Sequence, residues 1–470
     1  MRWWNLQQLR SKDAETRRQA VTKLAAEGDD SLADHLVAAL KDRDAGVRTA
    51  AVAGLARILA GAAEATLLPM LRDVDAGVRE AAAEALPVCA SDAAVPALVL
   101  ALRDGASGVR WRAAKALELL KWEPADLEDE AWRWAALGEY DKAALQGAPA
   151  IEALALASRE GVYYKRQAAL TALSLIGDAR VVKPVLIALK DEDPNVRATA
   201  IDALARIGDA TAVEPLIASL RDRDAQVRSE AVGALSRLGD ARAVKPLAQL
   251  LRDEHWEVRE GAIRALGLFK DASAVAPLAV ALKDFDREVR EAAVRALMEI
   301  GDPGAVEFLV AVLKDDQDSV RALATTALRR LDRNWEKSAA AKRAIPELRA
   351  ALKHKEYWVR QAAADALAKI GEMRPVEPSL AHLLDPGLMR RQSAAEILLR
   401  LLSDFDGDLR QAAAEALGRI GDQKAVPALV PALRDASQWV ARAAARALRA
   451  LQWTPANDED RARHELLLQH

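Results

Sequence analysis

The sequence contains almost no cysteine. Cys89 is the only cysteine in 470 residues, so no disulfide can form within the chain and no metal site with several thiolate ligands can exist. Because it stands alone in an alanine-rich segment, we expect Cys89 to be a small buried residue and not a nucleophile.

Long apolar runs and an excess of charge of either sign are also missing. No run of about 18 apolar residues occurs, and Met1 to Gln8 lacks the apolar core of a signal peptide. The 67 basic residues nearly balance the 70 acidic ones, so the chain has no general attraction for nucleic acid or for an anionic membrane. We expect a cytoplasmic protein, with no membrane association and with nucleic acid disfavoured as a partner.

Patterns typical of metal or catalytic sites are absent too. The histidines form no His-x-x-x-His pair. The segment Asp404 to Asp408, followed by Glu415, resembles a calcium loop, but Leu409 stands where that loop needs glycine. No phosphate-binding glycine loop or Gly-x-Ser-x-Gly motif occurs. We therefore predict no metal, no cofactor and no catalytic residue.

What the sequence does contain is a repeat. DPNVRATAIDALARIGDATAVEPL at 193–216 is followed by DAQVRSEAVGALSRLGDARAVKPL at 224–247, and Val-Arg pairs recur every 31 residues in two series. A fixed period in this range indicates an array of structural repeats. Each repeat contains one register position, usually the arginine of Val-Arg, and the 14 register positions are Arg17, Arg48, Arg79, Arg110, Arg166, Arg197, Arg228, Arg259, Arg290, Arg321, Arg360, Arg390, Arg410 and Ala441.

One unit predicts a pair of helices. In 193–208 the apolar residues recur with a helical period, Asp193 suits the N-cap, Pro194 suits the first turn and Gly208 suits the C-terminal stop. The following stretch, 212–220, opens another helix with proline in its first turn. Below, the A helix is the first helix of each hairpin and the B helix is the second, which carries the register position. Stacked hairpins predict an all-α fold, an α-solenoid with a continuous core.

An aspartate stands six residues before most register arginines. We predict that each arginine bridges its own aspartate and loop carbonyls of the adjacent repeat, since a guanidinium offers five donors. Direct contact of these arginines with a ligand is the alternative. The predicted structural ladder consists of Arg197, Arg228, Arg259, Arg290 and Arg321 with Asp191, Asp222, Asp253, Asp284 and Asp315.

The array is interrupted. The pattern Leu-x-Trp-x-Pro-Ala-Asp/Asn-x-Glu-Asp-x-Ala occurs at 120–131 and again at 451–462, and it predicts a capped helix in each place. The sequence does not define the geometry at 332–340 and 385–405. The predicted division is repeats 1–4 at 1–120, an inserted helical module at 121–147, repeats 5–10 at 148–331, irregular repeats 11–14 at 332–451, and a C-terminal cap at 452–470.

The pattern of Pro215, Asp222 and Arg228, repeated 31 residues later, resembles the HEAT-repeat family, in particular its short-unit bacterial and archaeal branch of phycobilisome-lyase type. The resemblance implies an armadillo-like superhelix that serves mainly as a binding scaffold. It leaves two alternatives open, an accessory lyase-like or modifying protein and a nucleic-acid-binding protein. HEAT-like hydroxylases carry repeated His-Glu pairs, whereas His464-Glu465 is the only such pair here.

Two sets of residues are candidates for partner binding. Residues one, five and nine positions after the register arginine share one face of the B helix, the lane, and their charges are mixed. Aromatic residues also flank several Val-Arg pairs, where they either contact a partner or cover the loop edge of a neighbouring repeat. We predict a non-catalytic scaffold, not an enzyme, that binds a protein or peptide on the concave B-helix surface. The candidate residues are Trp111, Tyr164, Trp256, Trp358, Trp439, Arg264, Arg295 and Arg330.

Overall fold

The computed structural model describes residues 2–89, 92–352, 354, 357–370, 398–404 and 406–468. Within these ranges the regular secondary structure is helical, and no strand occurs. The chain divides into two compact units, Met1–Ala265 and Leu266–His470. The predicted all-α solenoid of helical hairpins is confirmed. Arg390, one of the predicted register positions, lies outside the described residues.

The first unit is built from short A helices that alternate with longer B helices. One helix, α18, extends past the boundary between the units. The helices are α1 (Arg2–Gln8), α2 (Ala14–Ala26), α3 (Ala33–Ala39), α4 (Ala45–Leu59), α5 (Glu64–Leu67), α6 (Ala76–Ala85), α7 (Val95–Ala101), α8 (Ser107–Leu119), α9 (Leu127–Leu137), α10 (Tyr140–Ala144), α11 (Ile151–Ala157), α12 (Tyr163–Leu175), α13 (Val182–Ala188), α14 (Pro194–Ile207), α15 (Val213–Ser219), α16 (Ala225–Leu238), α17 (Val244–Gln249) and α18 (Trp256–Phe269).

The second unit repeats the same alternation, with one shorter additional helix, α23. Its described helices are α19 (Val275–Ala281), α20 (Arg287–Ile300), α21 (Ala305–Val312), α22 (Asp318–Leu331), α23 (Ala339–Arg343), α24 (Ile345–Ala351), α25 (Tyr357–Ile370), α26 (Gly407–Ile420), α27 (Val426–Ala432), α28 (Gln438–Ala450) and α29 (Asp458–Leu468).

The hairpin formed by α14 and α15 shows how the sequence starts and stops each helix. The Asp193 side chain accepts the Asn195 N–H at 2.8 Å, and Pro194 is the first helical residue. Gly208 ends α14 with φ of 74°, a conformation that costs glycine little. Asp209 then accepts the Thr211 N–H at 2.7 Å and opens a short 3₁₀ turn into α15. The predicted caps of this unit are confirmed.

The core runs between neighbouring B helices, which pack on one another in each unit. The third residue after most register arginines is an alanine. Ala51, Ala82 and Ala200 are examples, and they are fully buried. A small side chain at this position allows the helices to approach closely. A close approach of two B helices occurs at Gly418 in the second unit, where an added Cβ would lie 2.7 Å from the Cα of Ala447.

The structural ladder forms, but its pairing is the reverse of the one predicted. Nε of Arg228 donates to Oδ2 of Asp253 at 2.7 Å and Nη2 donates to Oδ1 at 2.8 Å, so the carboxylate comes from the following repeat. Nη1 of Arg228 donates to the carbonyl of Asp222, six residues before it, at 2.9 Å. The reason is local, because the Asp222 carboxylate accepts the Asp224 N–H at 2.9 Å and accepts the guanidinium of the preceding Arg197.

The same bidentate pairing recurs along both units. Each arginine reaches the aspartate 25 residues further along the chain, through two nitrogen–oxygen contacts of 2.7 to 3.1 Å. The side chains in these pairs are largely buried, so removing one partner would leave an uncompensated charge and cost more stability than removing one partner of an exposed ion pair. The pairs are Arg17–Asp42, Arg48–Asp73, Arg79–Asp104, Arg166–Asp191, Arg197–Asp222, Arg228–Asp253, Arg290–Asp315 and Arg410–Asp435.

Two further ladder arginines, Arg259 and Arg321, also donate a hydrogen bond to the backbone carbonyl six residues before them. Nη1 of Arg259 donates to the Asp253 carbonyl at 2.9 Å, and Nη1 of Arg321 donates to the Asp315 carbonyl at 2.5 Å. Asp284 accepts the Asp286 N–H at 3.0 Å, in the same turn as the other ladder aspartates. All ten predicted ladder residues therefore lie at the junctions between repeats.

The two copies of the sequence module fold in the same way. Lys121 and Gln452 both have positive φ, 54° and 52°, immediately before the tryptophan of each copy. Asp126 caps α9 by accepting the Asp129 N–H at 2.8 Å, and Asn457 accepts the Asp460 N–H at 2.8 Å. An arginine from the loop one helix earlier, before α8 or α28, pairs with each acidic helix start. These pairs are Arg103 with Glu128 and Asp129, and Arg434 with Glu459 and Asp460.

In the described part of the chain, one segment, residues 45–72, is long and apolar enough to cross a membrane by length and composition alone. In the fold it is divided at Ala60, which has φ of 41°, into α4 and the short turns that follow. Val52 and Leu55 of this segment are fully buried, and α4 packs between α2 and α6. Its apolar character is thus accounted for by the repeat core.

Candidate partner-binding surface

Exposed aromatic side chains gather where the inserted module, 121–147, enters the first unit. Trp111 lies in the first turn of α8, Tyr140 begins α10, and Tyr163 and Tyr164 begin α12. A cavity of about 330 Å³ lies between these elements, with Trp111, Tyr140, Glu160 and Lys165 among the residues that line it. We call this cavity, together with the aromatic residues Trp111, Tyr140, Tyr163 and Tyr164, the insertion cleft.

Trp111 stays exposed because it follows the register arginine on the solvent side of its helix. Its side chain is 41% exposed. The guanidinium carbon of Arg112 lies 5.0 Å from its ring centroid, close enough for a cation–π interaction. Arg112 is itself held by Glu84, with 3.1 Å between Nη1 and Oε1. These neighbours orient the indole without covering it.

Three tyrosines supply the rest of the aromatic surface. Burial raises the pKa of the Tyr140 phenol above its ordinary value, so Tyr140 is neutral at physiological pH. Tyr163 and Tyr164 stand edge to face, with ring centroids 5.8 Å apart and an interplanar angle of 84°. Both remain about half exposed, although an aromatic pair of this kind is ordinarily stabilised by burial. They immediately precede Lys165, which lines the cavity.

An ion pair forms the floor of the insertion cleft. Nη2 of Arg110 donates to Oε2 of Glu160 at 2.6 Å, and Nη1 donates to the Asp104 carbonyl at 2.8 Å. Glu160 stands six residues before Arg166, where most other repeats have the ladder aspartate. Gly161 follows with φ of 75° and turns the backbone toward α12. The ladder therefore continues beneath the inserted module, and the aromatic residues lie along its edge.

The structure places the other predicted aromatic residues elsewhere. Trp256, at the start of α18, is 42% exposed, and Trp439, at the start of α28, is 64% exposed. The Arg442 guanidinium lies 5.6 Å from the Trp439 ring. The side chain of Trp358 lies outside the described part of the structure. Of the five predicted aromatic residues, Trp111 and Tyr164 belong to the insertion cleft.

Charges in the lane are largely paired with one another. Asp202 accepts both Arg206 at 2.9 Å and Arg237 at 3.1 Å. Nε of Arg264 lies 3.4 Å from Oε1 of Glu260. Such exposed pairs contribute little to stability and compete with an external ligand for each charge. The lane is thus a mixed-charge surface and not a basic one.

The two candidate arginines of the second unit occupy corresponding places. Nη2 of Arg295 donates to Oε2 of Glu291 at 3.0 Å, one turn earlier on α20. Arg330 is exposed in the last turn of α22, where a cation suits the helix dipole. Neither arginine lies at a cavity wall described for this unit.

Sequence reasoning missed several residues of the surface. Tyr140 lies inside the inserted module, where no repeat pattern marks it, and Lys165 looks like an ordinary exposed lysine. Glu160 had a signal, because it occupies the ladder position before Arg166. Trp3 and Trp4 of α1, 69% and 61% exposed, were also not singled out.

No group of three or more histidine, cysteine, aspartate or glutamate side chains suited to a metal ion occurs among the described residues. The acidic segment around 404–408 instead follows the ladder pattern, since Arg410 donates to the Asp404 carbonyl at 2.8 Å. Asp406 caps α26 by accepting the Asp408 N–H at 2.9 Å. The carboxylates of this segment thus serve turns and a helix cap.

Stacked helical hairpins joined by a buried arginine–aspartate ladder define the class of α-solenoid repeat proteins. The family model for HEAT repeats matches residues 4–87, 64–129, 151–236, 182–255, 244–329, 337–399 and 394–463. The chain belongs to the HEAT-repeat family. No curated protein matches it in sequence.

Several solved structures also match the chain, at low identity. Importin β is 18% identical, with 95% of this chain and 67% of that chain covered and a TM-score of 0.34. The CpcE–CpcF complex of phycocyanin lyase from Nostoc sp. PCC7120 is 24% identical, with 55% and 93% covered and a TM-score of 0.22. An engineered protein is 22% identical, with 97% and 99% covered and a TM-score of 0.26. These likenesses concern the fold alone.

Proposed function

We propose that the protein is a non-catalytic, cytoplasmic scaffold that binds a protein or peptide, and that the insertion cleft is its main contact surface. The observation that carries the proposal is the exposure of Trp111, Tyr163 and Tyr164 beside a cavity of about 330 Å³. Large aromatic residues contribute disproportionately to protein interfaces because they bury much apolar area at a small entropic cost.

The cavity is suited to one inserted side chain of a partner. A volume of about 330 Å³ is at the lower end of the range for small-molecule sites, and two aromatic residues, Trp111 and Tyr140, are part of its lining. Lys165 adds positive charge to the lining, while Glu160 is already engaged by Arg110. An aromatic or aliphatic side chain next to an acidic residue would match this arrangement.

The concave B-helix lane is the second part of the proposed surface. Its paired charges, such as Arg206 and Arg237 on Asp202, favour a polar protein surface over a phosphodiester backbone. A nucleic-acid partner would instead require a basic groove, and its affinity would fall steeply with salt. Candidate partners are therefore to be compared at low and at high salt concentration.

The test is capture of partners from a lysate of the source organism, treated with nuclease, on immobilised protein. Wild type is compared with the double variant Trp111→Ala/Tyr164→Ala and with the control Leu175→Ala. Leu175 is 60% exposed on α12 but does not line the cavity, so the control removes exposed apolar area elsewhere. Circular dichroism first verifies that each variant has the helix content of wild type.

We expect a specific protein that wild type and Leu175→Ala retain and that the double variant loses. Retention by all three proteins would place the contact surface elsewhere and contradict the role of the insertion cleft. Capture by none of them, or capture that vanishes at high salt for all of them, would contradict the scaffold proposal itself.

A further inference from the structure

The second unit contains a larger cavity, distinct from the insertion cleft. Its volume is about 880 Å³, and it lies along the A helices α19, α21 and α24. This volume is within the range of cavities that hold small organic ligands. The cavity lies beside an irregular step in the array, where a 3₁₀ turn containing the fully buried Trp335 and the additional helix α23 come between α22 and α24.

The floor of the cavity is apolar. It includes Leu282, Phe308, Ala311, Val312 and Ala351 from three successive repeats. Phe308 is 37% exposed, so its ring contributes accessible apolar area to the cavity instead of filling the core. Phe308 and Val312 are one turn apart on α21 and therefore face the same way.

Two lysines at the rim share one carboxylate oxygen. Nζ of Lys314 lies 2.8 Å from Oε1 of Glu347, and Nζ of Lys283 lies 3.7 Å from the same atom. Burial alone would raise the pKa of Glu347, but the hydrogen bonds and positive charges of Lys314 and Lys283 together lower it, so the carboxyl is ionised. Arg343, also at the rim, is paired with Glu307 at 2.5 Å. The rim thus has three cations against two carboxylates.

Acidic residues at the ladder end of the cavity are already engaged. Nη2 of Arg290 donates to Asp315 at 3.1 Å and to Asp316 at 2.8 Å, and its Nε donates to Asp315 at 2.9 Å. Asp284, the remaining acid of the lining, belongs to the ladder turn of the preceding repeat. The lining as a whole has four lysine or arginine side chains against five carboxylates, but at the rim Lys283 and Lys314 share the single carboxylate of Glu347.

A comparable groove of the first unit lacks this combination. It lies between the short A helices around Leu68 and Leu100, measures about 620 Å³, and has Arg72 as the only lysine or arginine of its lining. Of these two grooves, only the one in the second unit has two lysines at a single carboxylate.

We propose that this cavity binds a small amphipathic carboxylate, with its apolar body on Phe308 and Val312 and its carboxylate between Lys283 and Lys314. The ligand carboxylate supplies the second counter-ion that the two ammonium groups lack. Desolvation of the charges by the apolar body strengthens the pairing. The site is separate from the insertion cleft, whose residues belong to the first unit.

Fluorescence titration with three dansyl probes tests the proposal. Dansylglycine carries a carboxylate, dansylamide is neutral and dansylcadaverine carries an ammonium group, while the fluorophore is the same. The full-length protein is titrated as wild type, Lys314→Ala, Glu347→Gln, Phe308→Ala and the control Lys190→Ala. Lys190 occupies the same repeat position as Lys283 and Lys314 but lies in the first unit, outside the cavity.

We expect dansylglycine to bind wild type and Lys190→Ala equally and more tightly than the other two probes. Lys314→Ala should weaken its binding about five- to tenfold, which corresponds to the loss of one partly buried ion pair. Glu347→Gln should strengthen it, since both ammonium groups lose their internal counter-ion. Phe308→Ala should weaken dansylglycine and dansylamide alike.

Several results would overturn the proposal. They are equal affinity for dansylcadaverine and dansylglycine, no response of dansylglycine to Lys314→Ala, weaker binding in Glu347→Gln, and absence of saturable binding. The opposite signs expected for Lys314→Ala and Glu347→Gln separate a specific site from general loosening of the fold, which would change both variants in the same direction.

Discussion

Arg110 and Glu160 are 50 residues apart in the sequence, yet Nη2 of Arg110 donates to Oε2 of Glu160 at 2.6 Å. Glu160 takes the place that an aspartate, 25 residues away, has for most other register arginines. The inserted module is therefore accommodated without loss of the ladder contact, and a longer side chain, glutamate, completes it.

The first prediction concerns this contact. Glu160→Gln leaves the buried Arg110 guanidinium without a carboxylate, and we expect the free energy of unfolding to fall by about 1–3 kcal/mol. The effect should be smaller than for a fully buried pair, since the Glu160 side chain is 27% exposed. Urea unfolding followed by circular dichroism measures it. Glu152→Gln, an exposed change on α11, is the control, and equal midpoints for the two variants would contradict the role of Glu160.

The second prediction concerns a regular ladder arginine. Arg228→Ala leaves the Asp253 carboxylate, whose side chain is 7% exposed, without its partner, and we expect a loss of about 3–5 kcal/mol in unfolding free energy. Arg237→Ala removes an exposed arginine of the same helix, α16, and should cost less than about 1 kcal/mol. Differential scanning calorimetry compares both with wild type. If both variants have the same unfolding temperature as wild type, the ladder does not stabilise the fold.

The third prediction is a pH dependence. Hydrogen bonds from the register arginines lower the pKa values of Asp42, Asp73 and Asp435. Since the folded pKa lies below the unfolded value of about 3.9, these groups stabilise the fold above that pH, and the stabilisation is lost as the pH falls through the folded pKa. We therefore expect stability to fall steeply below about pH 4.

The variant Asp42→Asn makes that prediction specific. It should be less stable than wild type at neutral pH and should approach wild type at about pH 3, because one of the responsible carboxylates is gone. Asp315 acts in the opposite direction, since burial raises its pKa and protonation on acidification favours the folded state. Unfolding midpoints measured across this pH range would refute the assignment of Asp42 if the two curves were parallel.

The fourth prediction concerns helix approach. An alanine Cβ at position 418 would lie 2.7 Å from the Cα of Ala447, a backbone atom that cannot move by itself. Although alanine favours helix by about 1 kcal/mol over glycine, we expect Gly418→Ala to destabilise the second unit by about 1–3 kcal/mol. Gly407→Ala, at the start of the same helix, meets only ordinary contacts at 3.7 Å and should be neutral or stabilising. Hydrogen exchange of α26 and α28 distinguishes the two, and equal protection would disprove the close approach.

The hairpins were predictable because each one has its own signals. Asp193, Pro194 and Gly208 mark the ends of α14, and the alanine at the third position after the register arginine marks the buried seam. The direction of the ladder was not predictable. Asp222 is near Arg228 in sequence, but its carboxylate is turned toward Arg197 by the loop, and only coordinates reveal that orientation.

The candidate surfaces were predictable to a smaller degree. Trp111 and Tyr164 stand out from the repeat pattern, so the sequence indicates them. The sequence does not indicate Tyr140, because the position of Tyr140 depends on how the inserted helices pack. The sequence also does not predict that Lys283 and Lys314 meet at Glu347, because most other repeats have a lysine or arginine at the same position. Their meeting at one carboxylate follows from the irregular step, which no period describes.

Arg321 is the ladder arginine with a different neighbour. It donates to the Asp315 carbonyl in the usual way, but its other terminal nitrogen pairs with Asp318 of its own helix. Six residues before the next register arginine, Arg360, stands His354 in place of aspartate. In mechanical terms, the carboxylate that joins Arg228 to the following repeat is replaced at Arg321 by one on the same helix, so we expect this ladder contact to resist stretching along the array less than the Arg228–Asp253 contact does.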